Sequence, residues 1–270
     1  MKFFRFISGI LASLLFISVA IAALPAVGSL PQSASITARW YLGETSGTRD
    51  DAVGANDLTD NNTVLYAAGQ FGANAADFES TNSESLSIND NIALSITGDE
   101  SFCEWINVES TPSDAEYILV SKSSHVTGRG LQIVLTKFTA SLYGITANTE
   151  GIAIQISSDG ITTTNKGVNF TYGTATWVHV CVVYNASAGE VKFFKNGVQQ
   201  GTTQTGFPTS QTDNIAPFAL GIYPQLNSSA YDGLMQDEVV WPIELTDDEV
   251  LSEYNSYFPT TGTPGSNIIF

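Results

Sequence analysis

Two cysteines offer the most specific chemistry in this sequence. Cys103 and Cys181 are its whole cysteine complement, and each lies in the middle of a segment where residues alternate as on a β-strand. In a chain that leaves the cytoplasm, an even number of cysteines favours a disulfide. The alternative is two buried free thiols that pack as small apolar side chains. A disulfide requires the two strands to be neighbours in one sheet or to face each other across the core.

Carboxylates in pairs would indicate catalysis. A retaining glycosidase holds two of them about 5–5.5 Å apart, and residues two apart on a strand share a face. Asp237 and Glu238 are neighbours and therefore point to opposite faces. The two histidines, His125 and His179, lie in a polar loop and a strand, and the sequence has no Gly-x-Ser-x-Gly, CxxC or HExxH motif. These observations predict a protein that is not an enzyme.

Acidic residues could instead hold a cation. The polar segment 43–62 carries several aspartates, among them Asp51, and Asp237 lies in a late strand. Carboxylate oxygens are hard ligands that suit Ca²⁺. We therefore consider a structural calcium ion at the rim of the fold, with Asp51 and Asp237 as candidate ligands. The alternative is a solvated acidic rim, and no other cofactor is indicated.

Aromatic side chains could bind a sugar, because ring faces beside planar polar groups form the mixed surface that such a ligand needs. Four tyrosines lie near the ends of predicted strands or in loops: Tyr143, Tyr172, Tyr223 and Tyr231. Each is a candidate either for the core or for a ligand site. The four tryptophans lie within predicted strands, where packing in the core is the expected role.

The charge of the chain restricts its partners. Ten lysines and arginines stand against 27 aspartates and glutamates, so the formal net charge is −17. Such a surface repels phosphate backbones and anionic lipid, which excludes nucleic acid as an expected partner. An acidic surface is compatible with divalent cations or with solubility outside the cell.

Residues 1–22 have the three parts of a secretory signal peptide. Lys2 and Arg5 supply positive charge, residues 7–19 are apolar, and Ala20-Ile21-Ala22 forms a small-x-small cleavage site. The alternative is an uncleaved membrane anchor, but serines and a glycine dilute the apolar run. We expect a secreted or cell-surface protein with no membrane span after residue 22.

The elements that must position these side chains are short antiparallel strands. Residues 176–203 alternate in character, and Asn196-Gly197 is a hairpin turn because both residues tolerate positive φ. Similar strands recur from residue 36 to residue 241, including one predicted at 140–145, and this spacing predicts a two-sheet sandwich. One helix is predicted near the carboxy terminus, where Thr246 and Glu249 form a capping box.

Several of these segments resemble one known family. The runs Trp177-Val178-His179-Val180 and Val191-Lys192-Phe193-Phe194, with Asn196-Gly197, are similar to the central hairpin of laminin-G-like jelly rolls in the concanavalin A-like lectin/glucanase superfamily. Further similar patterns follow in order: Ala38 to Leu42, Ala75 to Phe78, Ser101-Phe102 with Trp105-Ile106, Asp232-Gly233-Leu234, and Leu245-Thr246 with Tyr254-Asn255. The resemblance implies an all-β jelly roll of two antiparallel sheets over residues 36–257, closed by one short carboxy-terminal helix.

The resemblance also implies a function. It favours an exported, non-catalytic module that binds a glycan or another cell-surface ligand in adhesion or recognition. Hydrolases of the superfamily carry E-x-D-x-x-E or a one-residue variant, which this sequence lacks, so a degenerate glycoside hydrolase is one alternative. A structural subunit of a surface layer or filament is another, because the lead-in 23–35 and the tail 258–270 could pair with a neighbour's sheet edge and support self-association.

Overall fold

A computed structural model describes residues 23–258 except residues 127 and 225–227. The predicted signal segment 1–22 and residues 259–270 of the tail lie outside the described residues. The described strands are β1 Ala38–Trp40, β2 Thr59–Asn61, β3 Leu65–Ala68, β4 Asn74–Phe78, β5 Ser85–Ile88, β6 Glu100–Val108, β7 Ala115–Ser124, β8 Gly128–Lys137, β9 Gly151–Ile156, β10 Thr164–Asn169, β11 Trp177–Asn185, β12 Glu190–Lys195, β13 Val198–Thr205, β14 Phe218–Leu220 and β15 Gly233–Trp241. One α-helix, α1, covers Asp247–Ser256, and short 3₁₀ turns cover Val27–Ser29, Ser33–Ser35, Ser80–Asn82 and Ile92–Leu94.

The strands form two antiparallel sheets. One has eight strands in the order β13-β12-β11-β6-β15-β4-β3, with β1 also paired to β15, and the other has seven in the order β10-β9-β8-β7-β14-β5-β2. Every pairing between these strands is antiparallel. The predicted two-sheet sandwich with one short carboxy-terminal helix is therefore confirmed. No described helix has the length and apolar content needed to cross a membrane.

The main core lies between the two sheets. Alternate residues of the central strands point inward, so that Phe102 and Ile106 of β6 join Ile133 of β8 and Ile154 of β9 in one buried cluster. The ring of Trp40 lies 5.4 Å from that of Phe218 on the opposite sheet, in a stacked arrangement. This packing fixes which face of each strand is turned away from the core.

Helix α1 covers the outer face of the eight-stranded sheet. It begins at the predicted capping box, where the Thr246 hydroxyl accepts from the backbone N–H of Glu249 and the Glu249 carboxylate accepts from the backbone N–H of Thr246 at 2.8 Å. Val250 packs in a second buried cluster with Phe194 and Trp241. The predicted helix is thus confirmed, together with the reason why it starts where it does.

The predicted disulfide is present. Cys103 on β6 and Cys181 on β11 are directly opposite each other in the register of the two strands, and their Cα atoms are 4.2 Å apart. Of the two arrangements that the sequence left open, the structure has the one with neighbouring strands in a single sheet. The bond lies on the outer face, beneath α1, where both cysteines are fully buried.

The prediction of a strand at 140–145 is wrong. The backbone of this segment turns sharply, because Tyr143 has φ 55° and Gly144 has φ 84°, and these left-handed values are incompatible with an extended ladder. What remains is a single bridge between Leu142 and Ile145. The polar segment 43–62 also contains a strand that was not predicted, β2. The turn at 140–145 places Tyr143 over the outer face of the seven-stranded sheet.

Candidate ligand-binding groove

A row of polar side chains crosses four strands of the seven-stranded sheet. Ser121 of β7 is opposite Gln132 of β8, which is opposite Gln155 of β9, which is opposite Asn165 of β10. Directly opposed residues share a face, and the neighbours of these residues along the strands, such as Ile133, fill the core. The row therefore lies on the outer face of this sheet.

Two of the four candidate ligand-binding tyrosines lie beside this row. Tyr143 comes from the turn between β8 and β9, and Tyr223 comes from the segment after β14. Both pack against a small buried cluster on the outer face that contains Ile118 and Val134. Together with the amides of Gln132 and Gln155 they line a groove of about 210 Å³. The groove thus combines aromatic rings with planar polar groups.

The groove contains a carboxyl group that is held in place. Glu116 accepts hydrogen bonds from Gln155 Nε2, at 3.3 Å, and from the Tyr143 hydroxyl. Burial raises the pKa of Glu116 above its ordinary value, although both hydrogen bonds act in the opposite direction. Burial and the neighbouring Glu116 raise the pKa of the Tyr143 hydroxyl, which therefore remains a donor.

A basic pair lines the same groove. Arg129 Nη2 lies 3.2 Å from His125 Nδ1. None of the ion pairs among the described residues gives Arg129 a carboxylate partner. The guanidinium group therefore has donors to spare for the groove, in a protein whose surface is otherwise strongly acidic.

Three polar atoms of the row lack a hydrogen-bond partner among the described residues: Ser121 Oγ, Gln132 Nε2 and Asn165 Oδ1. Gln132 is 6% exposed and lines the groove. A buried donor without an acceptor costs free energy and occurs rarely in native proteins. An acceptor on a bound molecule, such as a hydroxyl oxygen, would remove that cost.

The other two candidate tyrosines lie in the core. Tyr172 is 2% exposed and Tyr231 is fully buried, and both belong to the cluster between the sheets. Their hydroxyls donate to the backbone carbonyls of Thr136 and Leu234. In those positions their rings pack among core side chains and present no face to a ligand.

Sequence reasoning missed the polar groups of the groove. Gln132 is the residue that a local signal could have found, since it is a polar position between Leu131 and Ile133 in an alternating strand. Its alignment with Gln155 and Asn165 depends on strand register, which the hairpin loops and the core determine together.

The two candidate calcium ligands both contact one arginine. Asp51 accepts from the backbone N–H of Arg39 at 3.1 Å and from Asn56, while Asp237 accepts from the Arg39 side chain at 2.7 and 2.6 Å. The structure therefore brings the loop and the late strand together, as the calcium prediction required. Their carboxylates are occupied by N–H donors that an ion would have to displace, and the calcium site stays a prediction.

One pair of neighbouring carboxyl groups, those of Glu104 and Glu238, lies inside the sandwich. A β-bulge between Gln236 and Val239, with Asp237 at φ 60°, turns Asp237 outward and Glu238 inward, so the predicted opposite orientation holds. Burial raises the pKa of Glu104 to about 8, and burial together with the neighbouring Glu104 raises the pKa of Glu238 well above its ordinary value. Glu104 is 3% exposed and Glu238 is fully buried, so a substrate in solvent does not reach them.

The fold agrees with comparisons to known proteins. A family model of the concanavalin A-like lectin/glucanases superfamily matches residues 80–251. The chain belongs to this superfamily. Comparison with curated protein sequences gave no match.

Solved structures with a similar fold include a domain of an arabinanase and the binding domains of toxins. Domain 4 of AbnA, an extracellular arabinanase from Geobacillus stearothermophilus solved with arabinotriose, has a TM-score of 0.59 and 20% identity over 82% of this chain and 98% of that one. The binding domain of Paraclostridial Mosquitocidal Protein 1 has a TM-score of 0.64 and 16% identity over 83% of this chain and 53% of that one. The binding domain of botulinum neurotoxin serotype G has a TM-score of 0.60 and 12% identity over 81% of this chain and 50% of that one. This chain thus spans about half the length of the toxin domains.

Proposed function

We propose that this protein is an exported, non-catalytic module that binds carbohydrate in the groove beside Tyr143 and Tyr223. The observation that carries the proposal is the buried, unpartnered Nε2 of Gln132 beside two tyrosine rings. Sugars present apolar ring faces and hydroxyl groups at once, and a surface that offers aromatic faces with fixed amides complements both. Arg129 supplies further donors in the same groove.

The comparisons support a binding module. The arabinanase domain is matched over almost its whole length and was solved with an oligosaccharide. The binding domain of botulinum neurotoxin DC was solved in complex with SialylT, and cell entry of botulinum neurotoxin type C depends on interaction with two ganglioside molecules. Because the match covers about half of each of those chains, their ligands are weaker support for the proposal. The proposal that this chain binds carbohydrate therefore depends mainly on the residues of its own groove.

Export remains part of the proposal. A disulfide is typical of proteins that leave the cytoplasm, and residues 1–22 have the pattern of a signal peptide. The alternative of a filament subunit depended on the lead-in and on the tail, most of which lies outside the described residues. That alternative stays a prediction.

Replacing Tyr143 or Tyr223 by alanine should weaken glycan binding by about tenfold or more, because each substitution removes a ring face from the groove. The test is an array of plant and cell-surface oligosaccharides that includes arabinotriose, followed by calorimetry on the glycans that bind. Tyr66→Ala is the matched control, since Tyr66 is 48% exposed on edge strand β3, away from the groove. Equal binding by all three variants and the wild type would exclude this groove.

Gln132→Met should separate binding from stability. Methionine keeps the approximate volume of the side chain and removes a buried donor that has no partner, so the free energy of unfolding should stay the same or rise by up to about 1 kcal/mol. Glycan affinity should fall by about 3- to 10-fold, because the ligand loses one hydrogen bond. Denaturant unfolding and calorimetry measure the two quantities. A variant that loses stability but keeps its affinity would show that Gln132 is structural.

A further inference from the structure

The surroundings of the disulfide contain a second ligating pair. His179 lies two residues before Cys181 on β11 and shares its outward face, while Glu253 reaches down from α1. His179 Nε2 is 2.8 Å from Glu253 Oε2, and Cys181 Sγ is 4.0 Å from His179 Nε2 and 3.9 Å from Glu253 Oε2. One ligand atom from each of these residues and from Cys103 lies within 4.8 Å of all the others.

We propose that these four residues form a zinc site when the two cysteines are reduced. Zn²⁺ prefers four ligands in a tetrahedron, with bonds of about 2.3 Å to sulfur and about 2.0–2.1 Å to nitrogen and oxygen. Such bonds place the ligand atoms about 3.3–3.8 Å from one another. The observed distances from Cys181 to His179 and Glu253 need to shorten by about half an ångström, and the His179–Glu253 distance needs to lengthen by the same amount.

A buried orphan atom supports a ligand at this position. Glu253 and His179 are both fully buried, and Glu253 Oε1 has no hydrogen-bond partner in the part of the chain that the structure describes. A cross-strand disulfide needs neither an imidazole nor a carboxylate beside it. Burying this pair costs desolvation, and a divalent cation would interact favourably with the carboxylate and with two thiolates.

The two states of the site exclude each other. In the oxidised chain the sulfurs are bonded to each other and the site is closed. In a newly made chain, the thiols have not yet been oxidised, and Zn²⁺ binds with release of the two thiol protons. From the oxidised protein, a phosphine reductant supplies two electrons and becomes the phosphine oxide by taking oxygen from water, whose two protons pass to the thiolates. Zinc then links β6, β11 and α1 in place of the covalent bond.

The experiment uses the full-length protein, reduced with a water-soluble phosphine without oxygen and titrated with Co²⁺. We expect one equivalent to produce strong tetrahedral visible bands and a thiolate-to-cobalt band in the near ultraviolet, both of which Zn²⁺ then abolishes. Oxidised protein and Cys103→Ser/Cys181→Ser should show neither band. Glu253→Gln should weaken Zn²⁺ binding by about tenfold or more, whereas Asp248→Asn, an exposed carboxylate of the same helix, should leave it unchanged.

The outcomes that overturn the proposal are distinct from these. Weak cobalt bands that survive in Cys103→Ser/Cys181→Ser would place the metal elsewhere. An unaltered spectrum and affinity in Glu253→Gln would show that Glu253 only docks the helix. If reduction unfolds the chain, recovery of the β-sheet circular dichroism on addition of one equivalent of Zn²⁺ supports the site, and failure to recover it refutes the site. The glycan groove lies on the other sheet, so its own test is independent of this one.

Discussion

Replacing Asp237 by asparagine should destabilise the protein by about 3–5 kcal/mol, because the Arg39 guanidinium would remain buried without its carboxylate. Both side chains are fully buried, and they form two hydrogen bonds of 2.7 and 2.6 Å. The Tyr257 hydroxyl also donates to Asp237, at 2.9 Å. Burial acts to lower the pKa of Arg39, and the hydrogen bonds and charge of Asp237 more than offset it, so the arginine stays charged. Denaturant unfolding with the disulfide intact measures the loss.

The surface of the protein offers a matched control for this buried pair. Lys192 and Asp247 also form an ion pair at 2.7 Å, but the side chain of Asp247 is 55% exposed. Asp247→Asn should therefore change the free energy of unfolding by less than about 1 kcal/mol. The double variant Arg39→Met/Asp237→Leu should lose less stability than either single variant, since it removes both charges. A loss in Asp237→Asn no greater than in Asp247→Asn would contradict the argument.

The protein should become less stable as the pH rises from 5 to 8. Burial raises the pKa of Glu104 to about 8 and raises those of Glu238 and Glu100 well above the ordinary range. The folded chain then holds protons that the unfolded chain releases near pH 4.5, so stability is complete below that pH and is lost as the pH rises through the folded-state values. The coupled pair Glu104 and Glu238 should together account for a loss on the order of 3 kcal/mol over this interval.

Carboxylates with lowered pKa values act in a different range. Asp51 and Asp90 accept hydrogen bonds that hold their pKa values below the ordinary one, so their contribution is lost only as the pH falls below about 4. Thermal unfolding measured at each pH tests the prediction. Glu104→Gln/Glu238→Gln should flatten the curve, and Asp248→Asn, an exposed change, should leave its slope intact. A wild-type stability that is constant between pH 5 and pH 8 would show that these carboxyl groups are ionised in the folded protein.

Local patterns were sufficient for much of the architecture. The alternation around Cys103 and Cys181 predicted two strands, and the spacing of Thr246 and Glu249 predicted the start of α1. Both signals depend on residues close together in the chain, because strand alternation and helix capping are local geometry. The strand prediction at 140–145 was wrong for a related reason. A tight turn that covers a sheet also contains apolar residues, and over so short a segment their pattern is the same as that of a strand.

Such local patterns could not predict which residues form the candidate site. Tyr143 and Tyr172 look alike in sequence, yet one lines a groove and the other lies between the sheets. The polar row joins Gln132, Gln155 and Asn165 only through the register of three strands, and Glu253 meets His179 only because α1 packs on that face.

The sequence by itself determined the class of fold, the capped helix and the availability of two cysteines, since each follows from neighbours in the chain. The tertiary structure alone decided which tyrosines face solvent, which amides align and which carboxyl groups are buried. Burial and electrostatic environment are properties of side chains brought together from distant segments, and no local pattern contains them.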